Sequence, residues 1–406
     1  MTFHHRAVPI VLAAVLIDSI GFGIVLPVLP RLIVELANVS LEDATRIGGW
    51  MMVAYAVTHF FAGPILGSLG DAIGRRPVLL FGMIAFSIDY ALMAAAPTIG
   101  WLFAGRIVAG IAGATYGPAN AVLADVTPPE KRGATFGLMG AAFGIGFILG
   151  PAMGGLLAGF GTRAPFIAAA VLAGINALWI LFMLPETMTE DKRRRFDWRQ
   201  ANVVGAFRPL MQAGNAKWLL AAAFLWQVAH MVYPTTWAFF GGLALGWDER
   251  MIGWSLAASG LCMALVQTLV TGRAIARFGE ERTVVIGMLA GALVFTGYIF
   301  ARDLWAVYAL IAISAFQALA YPSINALLSR MTDPSHQGAL QGGLASLNSV
   351  AVIVAPLMLS QALAFGAERG FYGGNFVVAS GLAFAAVLII LLRVVPKVQV
   401  IQKPVA

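Results

Sequence analysis

Asp18, Asp89 and Arg106 each lie within an apolar run long enough to cross a bilayer. An ionisable side chain is expensive there and is a candidate for function by default. Asp18 falls about eleven residues into the first run, which at 1.5 Å per residue puts it roughly 16 Å deep. A carboxyl in such surroundings can gain and lose a proton near neutral pH, which is the chemistry of proton coupling. Its plainer reading is a packing aspartate that hydrogen-bonds a neighbouring helix. Arg106 is the single basic residue well inside the runs, near the outer end of the fourth. It either reaches toward the level of Asp18 and sets that carboxyl's charge state, or snorkels to the outer headgroups. Asp89, in Ile88-Asp89-Tyr90-Ala91-Leu92-Met93-Ala94 of the third run, is open to a structural or a direct role.

A second kind of chemistry sits between the second and third runs, in Gly67-Ser68-Leu69-Gly70-Asp71-Ala72-Ile73-Gly74-Arg75-Arg76-Pro77. Asp71 and the Arg75-Arg76 pair place fixed charge of both signs at a membrane surface. Glycines such as Gly67 let helix ends approach, and Pro77 is tolerated where a helix begins. Charge in that position holds helix ends together or releases them, so Asp71, Arg75, Arg76 and Gly67 are gating candidates. In the fifth run, Gly146-x3-Gly150-Pro151-x2-Gly154-Gly155 puts small residues at a helix-packing spacing and a proline where a bend is permitted. Gly150 and Pro151 join the gating group. Polar candidates for substrate binding are His59, Tyr116, Asn120, Gln227, His230, Gln267, Tyr321, Asn325, Gln341 and Asn348. Trp226, Tyr233, Trp237 and Phe240 add aromatic surface for an amphipathic ligand. Each of these also reads as ordinary interhelical bonding or packing.

The elements that must position these groups are membrane helices. Of 406 residues 60% are hydrophobic and 11% charged, against about 25% charged in soluble domains. Twelve runs are expected, at about 7–30, 47–69, 78–96, 101–124, 134–159 and 165–184, then 217–243, 251–276, 283–301, 304–328, 339–365 and 371–394. No small-residue cleavage site follows the first run, so it is expected to serve as an uncleaved insertion signal. The lone Cys262 excludes an internal disulfide. Alternate connections carry 19 and six of the 26 basic residues, with Arg106 the remaining one. That bias puts both termini and a cytoplasmic linker, residues 185–215, on the basic side. It also makes the +7 charge a matter of topology rather than of nucleic-acid binding. Residues 1–184 and 216–406 form two bundles that repeat. Adding 205 maps Tyr116, Asn120, Pro151 and Gly74 onto Tyr321, Asn325, Pro356 and Gly279. Arg75-Arg76 fall on Glu280-Glu281, so the repeat is not electrically symmetric.

The charged turn, the fourth-run Leu102-x3-Arg106-x3-Gly110-x2-Gly113 and the fifth-run glycines resemble motifs of the major facilitator superfamily. Asp18-Ser-Ile-Gly-Phe-Gly-Ile-Val-Leu-Pro27-Val-Leu-Pro30, the Asp89 stretch, and Gln337-Gly-Ala-Leu-Gln-Gly342 resemble its drug:proton antiporters, in particular the tetracycline exporters. That resemblance implies two pseudo-symmetric six-helix bundles and a proton-coupled antiporter working as a monomer in the cytoplasmic membrane. Its substrate would be a tetracycline-like or other amphipathic drug, carried as a complex with magnesium in the family. Three departures stand out: Ala72 in the charged turn, Gly291 where the family has a ninth-helix aspartate, and Met263 near its eighth-helix histidine. His59 stands at a second-helix glutamine of the family's drug site. Export of an endogenous metabolite is the alternative. No cofactor is expected beyond the proton gradient. No catalytic histidine pair, zinc-ligand cluster or nucleophile motif supports an enzyme, and no Gly-x4-Gly-Lys-[Ser/Thr] sequence supports an ATP-driven pump.

Overall fold

The computed structural model describes residues 7–113, 116–188, 190–194, 196, 216–331 and 337–396. Most of the linker 185–215 therefore lies outside the described residues, as does the Gln341 side chain. An apolar chain must close its backbone hydrogen bonds internally, and among the described residues every element is helical. Eleven described helices are long and apolar enough to cross a membrane. In chain order these spans are Ala7–Val25, Leu41–Ile73, Arg75–Ala95, Ile99–Val126, Arg132–Phe160 and Ala164–Met183 (first to sixth), and Glu249–Leu269, Thr271–Phe300, Leu304–Arg330, Gly343–Ala367 and Gly374–Val394 (eighth to twelfth). The seventh is divided at Met231 into Lys217–His230 and Val232–Leu245, each too short to cross alone.

Prolines account for most departures from the expected runs. Pro234 has no N–H to offer the His230 carbonyl, and its ring crowds that oxygen, so the seventh span breaks between them. Pro322 leaves Ala318 without its helical partner, and Ala315–Leu319 tightens into a 3-10 turn inside the tenth span. The first run, expected to continue to residue 30, ends at Val25, and Leu29–Ala37 follows as a separate helix with a proline in its first turn. Gly74 and Gly279, 205 residues apart, both take positive φ, 112° and 76°. Gly74 compresses the link between the second and third spans to a single residue, which is why the third span starts at Arg75, and Gly279 puts a kink inside the Thr271–Phe300 helix. The repeat extends to side chains. The Asn120 amide donates to the Tyr116 carbonyl at 3.2 Å, and the Asn325 amide donates to the Tyr321 carbonyl at 3.0 Å.

The described chain divides into two compact units, Met1–Val203 with Trp247–Gly260, and Val204–Gly246 with Leu261–Ala406. In the first unit, the first span lies along the glycine stripe of the fifth. A Cβ at Gly146 would come within 2.5 Å of Ser19 Cβ, and one at Gly150 within 2.6 Å of the Ile20 carbonyl. That close approach fixes the backbone immediately beyond Asp18. Gly155 does the same on the opposite side, against Glu249 and Arg250. The second unit is centred on packed rings, with Phe240–Phe376, Tyr298–Phe376 and Trp237–Tyr298 centroids 4.8, 4.9 and 5.0 Å apart.

Candidate proton-coupling site

Arg106 does not snorkel. Its side chain is buried, and its guanidinium donates to Asp89 Oδ2 at 2.8 Å and to Met93 Sδ at 2.8 Å. Asp89 is fully buried beside it. The pair is possible because Gly105 carries no side chain, since a Cβ there would stand 2.5 Å from Asp89 Oδ1. Gly110 and Gly113 extend the same surface, where Thr58 and Tyr55 of the second span pack. The fourth-span motif thus reads as one cation and three gaps that receive its neighbours. In the second unit the positions 205 residues on are Val294 and Ile311, both buried, so the repeat keeps the packing and drops the charges.

Asp18 is half-buried and lines a cavity of about 30 Å³ within the first unit, together with groups from the third, fourth and sixth spans. Among the described residues it makes no hydrogen bond or ion pair. Tyr90, next to Asp89 in the chain, packs at Gly21 of the first span, and Tyr55 packs at Gly113 of the fourth, so rings stand between the carboxyl's span and the buried pair. Two of the three intramembrane charges therefore compensate each other, and Asp18 stands alone. Sequence reasoning proposed Arg106 as a partner in the charge state of Asp18. In the structure its direct partner is Asp89.

Charge also clusters at the end of the first unit that holds the Gly74 turn. Arg75 Nη1 lies 2.5 Å from Asp71 Oδ1, and Arg75 Nε lies 3.5 Å from Asp125 Oδ2. Arg76 donates to the Leu181 carbonyl. Glu186, just beyond the sixth span, accepts from the backbone N–H groups of Arg75, Arg76, Thr187 and Met188 at 2.9–3.2 Å. An anion at a helix N-terminus meets open N–H groups and the positive end of the dipole. Glu186→Ala is expected to lower stability by about 1–2 kcal/mol, read as a lower thermal midpoint, with Glu186→Gln intermediate. Gly74 must be glycine for its φ and for the Glu186 carboxylate pressed against it, whereas a Cβ at Gly67 meets nothing within 4 Å. The steric demand assigned to Gly67 from sequence therefore belongs to Gly74.

The second unit carries this ion pair with its signs exchanged. Glu280 and Arg330, at the positions of Arg75 and Asp125, pair at 2.6 Å. Asp71 corresponds to Ala276. Arg75→Glu alone is expected to lower the thermal midpoint, because it sets a third carboxylate beside Asp71 and Asp125. The triple change Asp71→Ala, Arg75→Glu and Asp125→Arg, which copies the second unit's polarity, is expected to recover much of the loss. Thermal unfolding of the purified variants checks both.

The remaining candidates fall into separate groups. His59 stacks on Tyr55 with centroids 5.6 Å apart, near Gly113. Tyr116 is exposed, borders the Asp18 cavity and meets Phe143 edge-on. In the second unit His230 contacts Trp226 and Tyr233, and Gln317 donates to the Tyr233 hydroxyl at 2.9 Å. Gln227 is half-buried, and Tyr321 is exposed. Sequence reasoning did not single out Asp125, Asn176, Glu186 or Gln317. A lone amide in an otherwise apolar run was the available signal for Asn176 and Gln317.

The family model of the Major Facilitator Superfamily matches residues 11–248 and 235–405. The chain is 40% identical over 356 residues to the class C tetracycline resistance protein of Escherichia coli, covering 88% of this chain and 89% of that protein. It is 36% identical to the class G tetracycline resistance protein of Vibrio anguillarum, covering 95% and 96%. In three dimensions it matches the human organic anion transporter MFSD10 with a TM-score of 0.72 at 23% identity, over 96% of this chain and all of that one. Motifs, paired six-span halves and relatives agree: the chain is a multi-pass membrane transporter that belongs to the major facilitator superfamily, in its tetracycline resistance branch.

Proposed function

We propose that this protein exports tetracycline-like, amphipathic drugs across a bacterial cytoplasmic membrane in exchange for protons. One observation carries the reading. Asp18 is the intramembrane charge left without a partner among the described residues, while Arg106 and Asp89 neutralise each other. A lone carboxyl crosses between surroundings at least cost when it is neutral, so it takes a proton on one side and yields it on the other. Asp18 is protonated from outside as drug leaves and discharges inside as the next drug enters. Arg106 and Asp89 fix the field in which that happens. Asp71, Arg75, Arg76 and the Gly150–Pro151 segment govern opening and closing of the two bundles, residues 1–184 and 216–406. Both termini and the linker 185–215 face the cytoplasm, and the chain works as a monomer in the bilayer.

Candidates for binding the substrate are His59, Tyr116 and Asn120 in the first unit and Gln227, His230, Tyr321, Asn325 and Gln341 in the second. A Cβ at Gly291 would fall 2.4 Å from the Trp226 ring, so the tryptophan fills the space a ninth-span side chain needs. The second unit therefore offers rings and amides where the resemblance leads one to expect a carboxylate, which suits a broad amphipathic cargo. Magnesium, if carried, travels with the drug. A singly charged chelate exchanged for one proton moves no net charge, so the pH difference alone drives transport. Each pH unit is then worth about 1.4 kcal/mol, or about a tenfold drug gradient. Uptake of labelled tetracycline into inside-out reconstituted vesicles, acidified within, tests the reading with and without magnesium. Uptake is expected in the first case, and none in either would refute it.

A further inference from the structure

Within the second unit the first half of the seventh span packs along the twelfth, with Leu219, Leu220 and Ala223 buried on one and Ala386 and Ile390 on the other. Where the seventh begins and the twelfth ends, the Trp218 ring is half-buried, and Lys217 and Arg393 are exposed. The Arg393 guanidinium stands 5.2 Å from the centre of that ring and Lys217 Nζ stands 5.7 Å from it, so the two charges lie within about 11 Å of each other. Lys217 is the chain neighbour of Trp218, whereas Arg393 reaches the ring from another span. Neither makes an ion pair or a hydrogen bond among the described residues. Arg369, which lies over the Phe365 ring, has Glu368 at 3.8 Å as its counter-charge.

The backbone sets both cations in place. Arg393 lies in a π-turn, Ile390–Val394, just ahead of Pro396, which has no N–H for the Leu392 carbonyl. The wider turn carries Arg393 off the register of the preceding helix, Gly374–Ile389. Lys217 opens its own helix, where a cation opposes the dipole, and the first turn holds no acidic residue. In the first unit the positions 205 residues earlier are Leu12, Ala13 and Met188, so the packing of six spans does not require the cluster. Apolar side chains lead up to it. Phe384, Leu388, Leu391 and Leu392 are exposed along the twelfth span, a rise of about 12 Å.

The geometry points to a site for one anionic phospholipid, its phosphate between Lys217 and Arg393 beside Trp218 and an acyl chain along Phe384, Leu388 and Leu392. An indole suits the boundary between headgroups and hydrocarbon. Basic side chains there attract anionic headgroups. A free phosphate would answer the two charges and leave the apolar stripe uncovered, so the occupant is a lipid. Bound there, it ties the start of the seventh span to the end of the twelfth. The orientation proposed above makes this the cytoplasmic leaflet. The site needs only the membrane spans and stands apart from proton coupling through Asp18.

Native mass spectrometry of the purified full chain with dioleoylphosphatidylglycerol tests it. Lys217→Gln or Arg393→Gln is expected to weaken retention of the lipid about fivefold, and both together about thirtyfold. Arg393→Lys, which keeps the charge, should retain most of the binding. Arg273→Gln with Arg277→Gln removes as much charge at the start of the ninth span, which begins at the same end, and is expected to leave retention unchanged. An equal loss in that control means diffuse attraction to a basic surface and overturns the site. Glutamine variants that melt lower without lipid yet hold it as tightly make the cluster structural only, and overturn it too. A further measurement uses the unaltered chain and depends on no variant folding. Its thermal midpoint in phosphatidylcholine vesicles is expected to rise when phosphatidylglycerol replaces part of the lipid, and excess inorganic phosphate is expected not to reproduce the rise. Equal midpoints in the two lipids, or the same rise with phosphate alone, contradict a lipid site.

Discussion

Asp18→Asn is expected to leave a folded, drug-binding protein whose drug-driven proton movement falls about a hundredfold or more. Asparagine keeps the shape of the side chain and cannot cycle between charged and neutral forms. The fold should tolerate the change, because Asp18 gives up no hydrogen bond among the described residues. Stability should stay within about 0.5 kcal/mol of the natural chain. Asp18→Glu, which preserves a titrating group, should retain measurable exchange. Proton movement followed with a trapped pH indicator in vesicles, beside thermal stability in detergent, separates loss of function from loss of fold. Full exchange by Asp18→Asn would remove the carboxyl from the mechanism.

The second large effect concerns the buried pair. Asp89→Val or Arg106→Ile alone leaves one unpaired charge among apolar neighbours and is expected to cost about 3–5 kcal/mol. Making both changes copies the second unit, where Val294 and Ile311 occupy the matching buried positions. The double variant is expected to recover most of the stability, because replacing a whole buried ion pair by packed apolar groups is often neutral. It should nevertheless export more slowly, having lost the fixed charges of the Arg106–Asp89 pair in the unit that carries Asp18. Melting curves for the two single variants and the double check the first part, and transport rates at matched abundance check the second. A double variant as unstable as either single one would contradict the packing equivalence.

The fold was legible because its physics repeats along the chain. Apolar runs of bilayer length, alternating basic connections and the 205-residue offset specify twelve spans in two related halves, and Gly74 and Gly279 show that offset in the backbone itself. The breaks at Met231 and Ala315–Leu319 were encoded as well, in Pro234 and Pro322. A proline in an apolar run does not say on which side the helix yields, so those boundaries stayed hidden. Single charges deep in the runs identified Asp18, Asp89 and Arg106 as special. Their pairing was not legible, since it depends on which faces of the third and fourth spans meet. Glu186 shows the same limit. Its four N–H partners come from two separated stretches of chain, and only the fold brings them to one carboxylate.

The signs of the end pairs could be read from sequence only on one side. Arg75 over Glu280 was visible as an asymmetry, but the matching reversal of Asp125 and Arg330 turns it into the same bond drawn twice. What looked like divergence is a retained ion pair with its polarity exchanged.

The most direct measurement is of tetracycline accumulation in reconstituted inside-out vesicles, acidic within, under two ionophore treatments. Releasing the membrane potential while keeping the pH difference should leave most accumulation intact. Collapsing the pH difference should abolish it. Accumulation that survives the second treatment unchanged would contradict coupling through Asp18, and with it the central claim.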